Sequence, residues 1–204
     1  SARDGVHGEE LWTSDGSEGG TVLVTDVRPG VGSSRPRYLT AVGSTVFFIA
    51  DDAVGAGLWC SDGSDAGTVK VKDVDAGGYY EEELPMAAAG GTLFFASDDV
   101  AHGRELWSSD GTEVGTVLVK DVRPGEYPAD PAELTAVGDT LFFVARDGVH
   151  GRELWSSDGT EGGTVLVKDV RPGGQQGYAV RSMTAVGNSL FFVGDDGVHG
   201  RELW

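Results

Sequence analysis

The chain has 204 residues, and 33 acidic against 15 basic side chains give it a formal charge of −18. Such a surface repels phosphate backbones and anionic headgroups, which excludes nucleic acid as a partner and disfavours membrane surfaces. A hydrophobic content of 39% argues against disorder, the single cysteine cannot form an internal disulfide, and no apolar run approaches the ~18 residues of a membrane span.

Five tryptophans, Trp12, Trp59, Trp107, Trp155 and Trp204, recur at separations of 47, 48, 48 and 49 residues. Each lies inside a version of Glu-Leu-Trp-x-x-Asp-Gly-Thr. A self-similar period of this length marks a repeat architecture. Approximate units are 1–37, 38–84, 85–132, 133–181 and 182–204, the first and last partial. A unit of about 48 residues is too small to bury a core alone and must stack on its neighbours.

The chain opens in the loop before a Glu-Leu-Trp segment, and Thr21-Val22-Leu23-Val24 follows as a β-branched strand. The second unit holds the aromatic strand Val46-Phe47-Phe48-Ile49 and then Thr68-Val69-Lys70-Val71. It has lost polar motif residues, since Asp51 to Trp59 lacks the histidine and the Arg-Glu pair seen in later units. In the third unit Met86-Ala87-Ala88-Ala89 replaces the usual Leu-Thr-Ala-Val. The fourth unit is the most regular. Leu134 to Val137, Thr140 to Ala145, Arg152 to Ser156 and Gly163 to Val170 read as four short strands, called A to D. Gly138-Asp139, Asp147 to Gly151 and Ser157-Asp158-Gly159-Thr160 separate them as turns. All eight phenylalanines fall in pairs on B strands, and an apolar run on a middle strand predicts burial on both faces.

Four short strands per ~48 residues predict an all-β fold: a β-propeller built from four-stranded antiparallel blades. The chain supplies four blade-equivalents with a circularly permuted start within a blade. One C strand is then in surplus, which implies a strand-exchange seam, a longer array or a ring shared between chains, and so self-association. The near-identity of the third and fourth units adds recent amplification or an engineered consensus as origins.

Glu153 to Thr160, with the flanking Asp-Gly-Val-His-Gly and Gly-Thr-Val-Leu-Val-Lys-Asp-Val-Arg-Pro-Gly segments, resembles the bacterial ELWxxDGT repeat family across the whole chain. The second unit departs from it at Gly57 and Ser64. The resemblance implies a propeller-like protein that is extracellular or at the cell surface, although the N-terminus shows no signal peptide pattern. It implies no catalytic residues.

Up-and-down strands place the B–C loops and the D-to-A connections on one face. The loops carry His7, His102, His150 and His199; the connections carry Tyr38, Tyr79, Tyr80, Tyr127 and Tyr178. Variable aromatic loops on a rigid scaffold suit binding, here of a glycan or a protein, and the tyrosines serve equally to cover the edge of the ring. The histidines have the chemistry of metal ligands or a pH switch, or hydrogen-bond their own glycine-rich loops. Asp158-Gly159-Thr160-Glu161 is oxygen-rich, which raises Ca2+, but it lacks the alternating pattern of calcium loops and reads as an Asx turn. Arg152-Glu153 and Lys168-Asp169 are expected to pair across neighbouring strands. No nucleophile, phosphate loop, metal cluster or cofactor motif repeats, so a non-enzymatic binding or adhesion module is expected, with structural assembly as the alternative.

Overall fold

The computed structural model describes residues 1–74, 84–173 and 179–204. Tyr79, Tyr80 and Tyr178 lie outside them. The described chain is all-β and antiparallel. Strands β1 (Leu11–Thr13) and β2 (Val22–Thr25) form a two-stranded sheet. Strands β3 (Arg37–Val42), β4 (Thr45–Asp51), β5 (Ala56–Ser61) and β6 (Val69–Asp73) form the next, paired in chain order. Two more four-stranded sheets follow: β7 (Met86–Ala89), β8 (Thr92–Asp99), β9 (Gly103–Ser109) and β10 (Val117–Lys120), then β11 (Ala132–Val137), β12 (Thr140–Arg146), β13 (Arg152–Ser157) and β14 (Val165–Lys168). Strands β15 (Val180–Val186), β16 (Ser189–Asp195) and β17 (Arg201–Leu203) make the last.

Register explains the paired phenylalanines. The second of each pair sits opposite the tryptophan of the following strand: Phe48 with Trp59, Phe95 with Trp107 and Phe143 with Trp155. Successive side chains point to opposite faces of a strand, so the two rings of a pair serve different sheet–sheet interfaces. Phe94, Leu106 and Val119 pack against Leu141, Phe143 and Trp155 of the following sheet. Phe47, Ile49 and Leu58 pack in the same way on Leu93 and Phe95. Val144 and Leu154 meet Phe192, and Leu11 and Val24 meet Phe48. Each fully buried side chain of this kind contributes about 1.5–3 kcal/mol. The first strands β3, β7, β11 and β15 adjoin one another in series, so the stack has an inner edge.

The Asp-Gly-Thr half of the motif is a self-satisfied turn. Asp158 Oδ1 accepts the Thr160 N–H (2.9 Å) and hydroxyl (2.7 Å), while Thr160 Oγ1 accepts the Gly163 N–H. Thr164 donates its hydroxyl to the Thr160 carbonyl, and Ser157 Oγ accepts the Gly159 N–H. Asp15, Asp62 and Asp110 repeat the arrangement. A Cβ on Gly163 would lie 2.0 Å from the Asp158 carboxylate, so glycine is required there. The turn is an Asx turn, as the spacing indicates, with its near carboxylate oxygen already occupied.

Strands β3, β11 and β15 each carry a bulge. Between Arg37 and Thr40, Ala132 and Thr135, and Arg181 and Thr184, one extra residue faces the partner strand. The residue after the last regular pair is Tyr38, Glu133 and Ser182 in turn, and each has a positive φ, of 58°, 56° and 53°. Bulges of this type bend a strand and re-aim its side chains at a rim.

Candidate functional site

The B–C loops and the connections between sheets meet at one end of the stack. The N–H groups of Ala129 and Asp130 donate to the Arg104 carbonyl, joining the connection after β10 to the start of β9. A Cβ on Gly103 would lie 2.8 Å from the Glu126 carbonyl, and one on Gly148 would lie 3.3 Å from Arg123 Nε. Loops of two successive sheets therefore form one surface. Tyr127 stands on it, 65% exposed, with the Arg123 guanidinium 5.0 Å from its ring centroid. Tyr38 behaves differently: its ring packs on the core cluster of Phe47 and Leu93 and is half-buried.

Each histidine is tied to an aspartate three residues earlier. In the loop before β13, Asp147 Oδ1 accepts the N–H groups of Val149 and His150, and Oδ2 lies 2.7 Å from His150 Nδ1. Asp4 with His7, Asp99 with His102, and Asp196 with His199 repeat this. The hydrogen bond to aspartate raises every one of these histidines above its ordinary pKa. The bond to His7 holds Asp4 down at about 2. The four rings thus belong to separate loops, and among the described residues no group of three or more His, Cys, Asp or Glu side chains could hold a metal.

The second unit solves the same problem with another residue. Asp52 Oδ1 accepts the N–H groups of Val54 and Gly55, but no histidine follows. Instead Lys70 donates to Asp52 Oδ2 at 2.7 Å and also pairs with Asp73. The other units have Leu23, Leu118 and Leu166 at the position of Lys70. The Lys70 ammonium replaces the imidazole from the far side, and that bond holds Asp52 at about 2. Gly57, where other units have glutamate, leaves room for it: a Cβ there would lie 2.5 Å from Lys70 Cε.

The motif glutamate is a backbone clamp. Glu10, Glu105 and Glu153 are 0–1% exposed. Glu105 accepts the N–H groups of Val122 (3.1 Å) and Arg123 (3.2 Å), and Glu153 accepts that of Val170 (2.7 Å). Glu10 accepts from Val27 and from both the N–H and hydroxyl of Ser34. Each holds the chain where it leaves the fourth strand. Burial disfavours the charged form and outweighs these donors, so Glu105 and Glu153 are both raised to about 7. This corrects the expected cross-strand pairing of Arg152-Glu153 with Lys168-Asp169. A register shift next to Leu154 places Leu154, not Glu153, opposite Lys168. Arg152 instead lies 3.3 Å from Asp130, and the Lys168 ammonium sits 5.5 Å from the Trp204 ring centroid on the next sheet. Lys72 covers Trp107 in the same way, and Lys120 donates to the Thr164 carbonyl.

Sequence reasoning did not find a cavity of about 660 Å3 at the inner edge of this surface, lined by Met86, Arg104, Asp130, Pro131, Glu133 and Arg152 among others. Its residues come from two sheets, and no spacing signal joins them. Cys60 is buried between sheets, its thiol directed at the Gly111 carbonyl. No family model matches the chain, and no curated protein matches it significantly.

Two outcomes follow from these contacts. Lys70→Leu strands the Asp52 carboxylate and is expected to cost about 1–2 kcal/mol in urea denaturation. The loop between β4 and β5 is one residue shorter than its counterparts, since Asp51 pairs with Ala56 where Arg146 pairs with Arg152. Gly55→His with a glycine inserted after it, Ala56→Arg, Gly57→Glu and Lys70→Leu together rebuild the loop of the other units and should recover that loss. A rebuilt loop less stable than the single variant contradicts the replacement. The second outcome concerns pH. A raised carboxylate stabilises the fold below its unfolded pKa, and the gain is lost as pH rises from about 4.5 to about 7. The raised histidines lose theirs above 6.5, in the same direction. Melting temperature should therefore fall between pH 5 and pH 8, and Glu105→Gln with Glu153→Gln should flatten the fall between pH 5 and 7.

Proposed function

We propose that this chain is a non-enzymatic β-propeller module that presents one loop face to a glycan or a protein. The observation that carries this reading is the composite surface: Tyr127 and Arg123 from one connection, set between the His102 and His150 loops of two successive sheets. An exposed aromatic ring backed by a guanidinium offers stacking and hydrogen bonding together, the combination that dominates binding hot spots. Four-stranded sheets stacked in series with adjoining first strands suit the blades of a propeller. The ELWxxDGT resemblance supports a bacterial surface or extracellular setting. The reading needs no metal or cofactor, because the oxygen-rich turns and the histidines are engaged within their own loops.

A glycan array compared between the wild type and the Tyr127→Ala, Arg123→Ala double variant tests it. Binding should fall at least about tenfold, the loss typical of a hot-spot pair, with melting temperature unchanged. An array without a hit above background removes the glycan version.

A second reading, assembly through sheet faces, is favoured by the outer face of β15–β17. Phe191 is 41% exposed and Leu203 72%, at positions where Phe94 and Leu106 are buried against a following sheet. An apolar face of this kind suits a further sheet of the same repeat, supplied by another copy of the chain. Sedimentation velocity should then show concentration-dependent association that Phe191→Asp abolishes. A single species of monomer mass at every concentration ends this reading.

A further inference from the structure

The cavity at the inner edge of the loop face has the size of a small-molecule site and a lining rich in charged groups. Its volume, about 660 Å3, falls within the ~300–1,000 Å3 of such sites. Two guanidiniums and two carboxylates line it, from Arg104, Arg152, Asp130 and Glu133. The arginine side chains are only 11% and 16% exposed. Asp130 lies 3.3 Å from Arg152 and also pairs with Arg146. Glu133 Oε2 accepts the Met183 N–H (3.3 Å) from the next sheet, which fixes one of its oxygens. Met86 and Pro131 supply an apolar wall.

Charge decides the ligand class. Cationic and anionic groups in the lining balance, so a ligand with net charge gains no net attraction and loses its hydration on entry. The fixed groups still offer both kinds of hydrogen bond. A guanidinium presents N–H donors in a fixed fork, and a carboxylate has about four acceptor positions, of which the Met183 N–H takes one at Glu133. A sugar hydroxyl donates and accepts at once and uses both. The C–H face of a pyranose matches the apolar wall. We propose that this cavity is a binding site for a neutral sugar, one or two pyranose rings in size, with Glu133 as an acceptor for its hydroxyls. The proposal rests on the reading of the loop face as a binding surface and gives that surface its substrate class.

Glu133 also provides the test, because its backbone has a φ of 56°, a conformation glycine adopts without strain. Glu133→Gly removes the acceptor, and relief of the positive φ offsets the lost bond to the Met183 N–H, so the melting temperature should stay close to that of wild type. The probes are glucose, galactose, mannose and N-acetylglucosamine, with glucuronic and galacturonic acid as charged counterparts, titrated by ligand-observed NMR and calorimetry. At least one neutral sugar should bind, its affinity falling at least about tenfold in Glu133→Gly and staying within about threefold of wild type in Glu133→Gln, which keeps a carbonyl acceptor. Binding of the uronic acids alone, binding undiminished in Glu133→Gly, or no binding by any of the six overturns the proposal. A glycan-array hit lost in Tyr127→Ala but kept in Glu133→Gly overturns the cavity site and leaves the loop-face reading standing.

Discussion

Burial of apolar side chains on both faces of every inner sheet is the constraint on which the rest of this molecule depends. Phe94 and Phe95 are adjacent in sequence and 1% and 0% exposed, yet they serve opposite interfaces. A sheet with two apolar faces has no stable existence alone, so each needs a neighbour before and after it. The consequence runs back to sequence: the middle strands cannot alternate between polar and apolar, and they read as continuous aromatic and aliphatic runs. It also runs forward to the surface: the connections between sheets escape both interfaces, and the units differ there in sequence, as residues 123–131 do from 171–179.

The polar half of the repeat answers a second problem, how to hold the loops that such packing leaves at one end. An aspartate that accepts two backbone N–H groups is held as a carboxylate, and its other oxygen needs a donor. Histidine supplies it in four loops and Lys70 in the fifth. The exchange is steric as well as electrostatic. The lysine reaches the loop from the fourth strand across the place where other units bury a glutamate, so loss of histidine and loss of glutamate are one event. The backbone group that the glutamate would have clamped, the Val74 N–H, bonds to the Ala56 carbonyl instead. What reads in the sequence as decay is a compensated substitution.

Strands, turns and the two-sided core were legible in the sequence because each has a local signature: Asp-Gly at the turns, paired phenylalanines and a tryptophan on a fixed period. The glutamate was not. A glutamate beside an arginine on a short strand looks like half of a surface ion pair, and only the register shift next to Leu154 turns it inward against the backbone. Tyr38 was legible as part of a connection but not in its place: it lies in β3 at a bulge, its ring half-buried against the core. The bulges themselves carry no signature, because Tyr38, Glu133 and Ser182 have nothing in common as residues.

That last fact separates fold from specificity. Eighteen glycines among the described residues take positive φ, so this sequence places glycine readily wherever the backbone asks for it. At the bulges of β3, β11 and β15 it does not, although a side chain in that conformation costs roughly 1–2 kcal/mol. Nothing in the register requires a side chain there, since an extra residue of any kind satisfies a bulge. The side chains in that conformation make different contacts: the Tyr38 ring packs on the core, and the Glu133 carboxylate lines a cavity while bonding the next sheet. Where residue and geometry repeat together, packing accounts for both. Where geometry repeats and the residue does not, the bulge is a fixed mount, and each side chain on it takes the contacts its own surroundings offer.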